Sequence, residues 1–164
     1  MTESPRRRAY DWGDPMPSAR KALELDGLSY FQQLLAGAFP APPIAQTIDM
    51  VLTEVEDGRA VFELTPQEFH YNPIGSVHGG IAATLLDSAM GCAIHSQLPS
   101  GVGYTTIELS INYLRPITIE TGRIRCEGKV IHVGRRLATA EGRITDSTGR
   151  LLAHGTTTCM VFTP

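Results

Sequence analysis

Hydrophobic and polar positions follow three different rhythms along this chain. Between 23 and 35, Leu25, Leu28, Phe31, Leu34 and Leu35 recur at helical spacing. They predict an amphipathic helix ending near Gly37, and prolines at 40, 42 and 43 stop it from continuing. Residues 44–55 are rich in Ile, Val and Thr and read as a strand. Asp57-Gly58 is a turn signal, and 60–64 reads as the second strand of a hairpin. Residues 66–77, PQEFHYNPIGSV, form a loop punctuated by Pro66, Pro73 and Gly75. The second rhythm is nearly unbroken apolarity. Residues 79–94, GGIAATLLDSAMGCAI, predict a helix over about 79–97 buried on nearly every side, closed by Pro99-Ser100-Gly101. The third is a period of two, in which Thr106, Glu108, Ser110 and Asn112 alternate with Ile107, Leu109, Ile111 and Tyr113. Arg115-Pro116 ends that strand. Three more strands follow near 122–133, 136–145 and 151–162, with turns at Gly134 and 146–149. No repeat and no internal linker appears. One long apolar helix beside one antiparallel sheet predicts an α+β fold in which the sheet wraps around the helix.

Residues 1–22 stand outside this pattern. They are rich in Pro, Arg and Asp, lack periodicity, and read as an extended arm, disordered or docked on a partner subunit through Tyr10 and Trp12. Residues 23–164 form one domain, as a length of 164 residues suggests. A net charge of −3 gives no support for nucleic-acid binding, and Arg6-Arg7-Arg8 is short enough to be a solvated tail. The three cysteines, Cys92, Cys126 and Cys159, are odd in number and widely spaced, so neither a metal set nor a disulfide framework is expected. The first residues lack the apolar stretch of a signal peptide, and no apolar run is long enough to span a membrane. A cytoplasmic location is the expectation.

Asp87 is the only charged side chain in the run 79–94. An ionised carboxylate in such a segment is costly unless partners or solvent reach it. Thr84, Ser88 or a subunit contact could satisfy it structurally; alternatively it does chemistry. At the helix start stands His78-Gly79-Gly80. The first amides of a helix lack intrahelical partners, and they can polarise a carbonyl oxygen and stabilise an oxyanion. The structural alternative is that His78 caps the helix and the glycines ease packing. Asn72 could orient His78 or a substrate carbonyl, or simply serve an Asn-Pro turn. Nine positions separate His78 from Asp87, about 13 Å along one helix, too far to share one small substrate atom. A two-fold interface pairing two such helices antiparallel would bring Asp87 of one chain to the glycines of the other.

The stretch N-P-x-G-x-x-H-G-G-x-x-x-x-x-x-D, from Asn72 to Asp87, resembles the hotdog-fold acyl-CoA thioesterases of the PaaI-like, phenylacetate-pathway type. The likeness extends over about 44–162, through TIELSINYLRP and HVGRR. The resemblance implies a hotdog fold, an antiparallel sheet around one long central helix, assembled as a dimer or a dimer of dimers with sites at the subunit interface. It implies hydrolysis of an acyl-CoA to carboxylate and free coenzyme A. Asp87 would be general base or nucleophile, and the Gly79 amide the oxyanion donor. His78 and Asn72 would hold the carbonyl end. Thr106, or its neighbour Thr105, would position the acid or the water. Arg135 and Arg136, following a strand turn, suit the coenzyme A phosphates. Neither metal nor organic cofactor is implied. The alternatives are a non-catalytic acyl-CoA-binding hotdog protein, a hotdog hydratase or dehydratase, and a purely structural oligomer.

Overall fold

The computed structural model describes residues 5–163. Six strands form one antiparallel sheet: β1 (Met50–Glu56), β2 (Arg59–Leu64), β3 (Gly103–Tyr113), β4 (Ile124–Val133), β5 (Leu137–Thr145) and β6 (Leu151–Phe162). Their spatial order is β1-β2-β4-β5-β6-β3. The chain therefore leaves β2, builds the central helix, lays β3 on the far edge, and fills the middle with the last three strands. Both edges, β1 and β3, lack a further strand neighbour among the described residues. On β3 the edge carries exposed Ile107 and Tyr113.

Helix α1 spans Met16–Glu24, α2 Gly27–Leu35, α3 Pro43–Ile48 and α4 Gly79–His95. Helix α4 is the hub. Leu85, Leu86, Ala89, Met90, Ala93 and Ile94 are all fully buried, because small and apolar residues occur all round it. The sheet curls onto it closely. A Cβ at Gly128 of β4 would lie 2.4 Å from the Ala89 carbonyl, so only glycine permits that approach. No helix among the described residues is long and apolar enough to cross a membrane.

Four expectations near the N-terminus are corrected. The single helix expected over 23–35 is two helices. Leu25 is extended, and the Asp26 carboxylate accepts the Ser29 amide proton at 2.9 Å, opening a new helix. Capping chemistry here overrides an apolar period that runs through the break. The stretch expected to be an extended arm contains α1, held to α2 by a buried hydrogen bond of 2.9 Å between the Ser18 and Tyr30 hydroxyls. The strand expected from 44 begins instead with α3. Pro43 starts that helix, and Asp49, at φ 54, ends it before β1. Arg8 is also no solvated tail residue. It donates to the carbonyls of Gln46 and Thr47 and to the Asp49 carboxylate, and lies 4.0 Å over the Phe69 ring. Residues 1–4 lie outside the described residues.

Candidate active site

Asp87 sits half-buried in the third turn of α4, facing β3. The Thr106 hydroxyl donates to one carboxylate oxygen at 2.8 Å and touches the Cys159 sulfur at 3.8 Å. Strand alternation explains which threonine is used: Thr105 points to the exposed face, Thr106 toward the helix. No ion pair among the described residues involves Asp87. Its surroundings are neutral. Burial, with the Asp87 charge adding to it, pushes the Cys92 thiol up to about 12. Burial also lifts the Tyr104 hydroxyl well above its ordinary range and holds the His95 imidazole below its own.

A cavity of about 820 Å³ opens beside this carboxylate. Its floor is Asp87, Ser88, Cys92, His95, Tyr104 and Thr106. Its walls come mainly from α2, α3, β1 and β2 and are mostly apolar, with Phe31, Leu34 and Phe62 among them and Gln46 and Asp49 as polar exceptions. These polar floor residues escape a reading that stops at Asp87, yet a signal was there. Ser88, Cys92 and His95 follow an i, i+4, i+7 spacing on one helix face, and Tyr104 shares a strand face with Thr106.

The other end of α4 holds a second group. His78 is the N-cap, and its Nδ1 accepts the Gly80 amide proton at 2.9 Å. Gly79 is the first helical residue, and its carbonyl accepts from the Tyr113 hydroxyl at 3.1 Å. Gly79 lines a separate cavity of about 330 Å³ with Ser76, Tyr113 and Arg115. Asn72 organises the loop before the helix. Its side-chain oxygen accepts from the Ile74 and Ser76 amides, and its amide donates to the Ser76 hydroxyl at 3.1 Å. It makes no hydrogen bond to His78. Thus Asp87 and Thr106 are brought together in one cavity and His78 and Gly79 at the helix start, but within one chain Gly79 lines a different cavity from the acid. Arg135 and Arg136 are exposed on the turn between β4 and β5 and line neither cavity. No cluster of three or more His, Cys, Asp or Glu side chains suited to a metal ion occurs among the described residues.

A family model of the thioesterase superfamily matches residues 74–153, which include the helix start, Asp87 and Thr106. A Saccharolobus solfataricus protein named as a candidate esterase is 32% identical over 111 residues, 68% of this chain and 77% of that protein. The chain belongs to the thioesterase superfamily. It is a thioester hydrolase of hotdog fold. Acyl-coenzyme A thioesterase 13 of Mus musculus is 27% identical to this thioesterase over 126 residues, 76% of this chain and 89% of that one. A Halobacterium salinarum protein, also named as a candidate esterase, is 45% identical over 69 residues, so this chain spans 44% of its length. Among solved structures, a candidate thioesterase related to phenylacetic acid degradation from Ralstonia eutropha JMP134 superposes with a TM-score of 0.72 and 28% identity. That match covers 80% of this chain and 98% of the other.

Proposed function

We propose that this thioesterase hydrolyses an acyl-coenzyme A, with Asp87 acting on the thioester carbonyl as general base toward water or as nucleophile. The observation that carries the proposal is the Asp87 carboxylate itself. It is held by Thr106 at 2.8 Å, free of any cation among the described residues, and lines a largely apolar cavity. As general base, Asp87 takes a proton from water as the oxygen bonds to the carbonyl carbon. The C–S bond then breaks, Asp87 returns its proton to the departing sulfur, and coenzyme A thiol leaves with the carboxylate, whose own acid proton passes to solvent. The acyl group fills the cavity of about 820 Å³, a size within the range usual for small-molecule sites. The Gly79 amide stabilises the oxyanion, and the His78 ring assists at the same carbonyl. The name of the mouse relative and the exposed Arg135-Arg136 pair support coenzyme A as the thiol.

Each site draws on two chains. The helical rise separates His78 from Asp87 by about 13 Å. Two copies of α4 packed antiparallel bring the glycines of one to the acid of the other, giving two equivalent sites in a homodimer, or four in a dimer of dimers. The separate cavities at the two ends of α4 and the uncapped β3 edge support this arrangement. Asn72 acts indirectly, by shaping the turn that presents His78.

Thiol release over a panel of acyl-CoA substrates tests the proposal. Wild type turns over, and Asp87→Asn loses about 10²–10⁴-fold in kcat while retaining fold and acyl-CoA binding. A variant keeping more than about a tenth of the rate would show that Asp87 is not the catalytic acid. Binding without thiol release points to a sensor, and changing enoyl absorbance to a hydratase.

A further inference from the structure

The two glycines after His78 have neighbours that explain them. A Cβ at Gly79 would meet the Tyr113 ring and hydroxyl at 3.3–3.4 Å. A Cβ at Gly80 would meet His78 Nδ1 at 2.9 Å. Each glycine therefore makes room for one side chain, and both side chains bond to the same peptide unit. The Tyr113 hydroxyl donates to the Gly79 carbonyl at 3.1 Å. Across that peptide, the Gly80 amide donates to His78 Nδ1 at 2.9 Å. The result is a continuous chain: Tyr113 hydroxyl, Gly79 carbonyl, Gly80 amide, His78 ring.

We infer that Tyr113 is a positioning residue for His78, acting through the peptide between Gly79 and Gly80. A hydrogen bond to a carbonyl oxygen draws electron density from the peptide nitrogen and makes its N–H a stronger donor, so bonds in such a chain reinforce one another. The strengthened Gly80 amide holds Nδ1 as an acceptor. The ring proton then resides on Nε2, where His78 offers a donor to the substrate carbonyl. The frame around this chain is stiff. The Val77 amide bonds to the Ile117 carbonyl at 2.8 Å, and the His78 amide to the His70 carbonyl at 2.8 Å. Leu114 and Arg115 both bond to the Leu152 carbonyl. The start of α4 is thus tied to residues 70 and 117 and the end of β3 to β6, which fixes Tyr113 over Gly79.

The inference rests on the proposed role of His78 at the carbonyl, and Tyr113→Phe tests both parts separately. With fold and oligomeric mass unchanged, kcat for acyl-CoA falls about fivefold, the worth of one modest hydrogen bond, and KM stays within about twofold. In ¹⁵N spectra the His78 ring of the wild type shows an unprotonated Nδ1 and a protonated Nε2. In Tyr113→Phe that tautomer preference weakens and the Gly80 amide proton moves upfield. In a His78→Ala background, already slowed, Tyr113→Phe causes no further loss. Unchanged His78 and Gly80 resonances in Tyr113→Phe overturn the inference, as does an equal loss in both backgrounds. A His78→Ala enzyme at full rate overturns it too, and in that case because His78 has no place in the reaction.

Discussion

Replacing Thr106 by valine exchanges one hydroxyl for a methyl and changes little else. The substitution keeps the β-branched shape that packs beside Cys159 but deletes the donor that holds Asp87 at 2.8 Å. A hydrogen bond to a charged group contributes about 1.5–3 kcal/mol. Both residues are half-buried, and water can partly replace the lost donor, so the lower end applies. About 1.5 kcal/mol at the transition state corresponds to roughly a tenfold drop in kcat. KM should stay within about twofold, since the hydroxyl aligns the acid and forms no part of the apolar wall. Thr106→Ser retains the donor and should keep at least about a third of the wild-type rate, which separates the hydrogen bond from packing. Steady-state thiol release with one good acyl-CoA substrate measures both. Valine at the wild-type kcat, or serine as slow as valine, would refute the idea that this hydroxyl orients the acid.

Stability should fall as pH drops from about 7.5 to 5.5, because burial holds His70 below its ordinary pKa while the unfolded chain takes up protons near 6.5. His70 is locked neutral, with Nδ1 accepting from the Gln67 amide and Nε2 donating to the Ile48 carbonyl, so His70→Gln should flatten the dependence of Tm on pH; an unchanged slope rejects this. Arg135→Ala combined with Arg136→Ala should raise KM for acyl-CoA but not for an acyl-pantetheine thioester. Equal effects on both would place the pair away from the nucleotide. Mixing Asp87→Asn subunits with Gly79→Val subunits, each inactive as a homodimer, should restore about half the wild-type activity per mixed dimer, because one site carries both lesions and the other none. A mixture verified as exchanged yet still inactive would reject a site shared between chains.

The sequence exposes the fold where one signal dominates and hides it where two compete. The apolar run of α4 and the alternation of β3 have no rival reading, and both elements lie where their patterns place them. At 23–35 an apolar period ran through Asp26, and only the cap bond to Ser29 shows that the chain turns there. At 43–48 the β-branched residues of a strand pattern were taken up by a helix that a proline initiates. The choice between Thr105 and Thr106 needed the strand's face, which composition does not reveal. Tyr113 stayed invisible for a different reason. It meets Gly79 across 34 positions of chain, and nothing in its local pattern distinguishes it from any tyrosine at a strand end.

The division of labour along α4 has a consequence for selectivity. A helix sheathed by a sheet can expose its acid only where the sheath is open, and here the opening lies between α4 and the N-terminal elements. Residues 74–153, which match the superfamily, carry the acid, its threonine and the helix start. Tyr30, Phe31, Leu34, Met50 and Phe62, which face the carboxylate across the cavity, all fall before that stretch. Under the proposed reaction, much of the wall that meets the acyl group therefore lies outside the stretch that carries the chemistry. Enlarging the cavity at Phe31 or Phe62 should then shift the ranking of acyl-CoA substrates toward bulkier groups while leaving Asp87 and Thr106 in contact. A methylene's worth of apolar contact changes discrimination by about 1–3 kcal/mol, enough to reorder a panel without touching the mechanism.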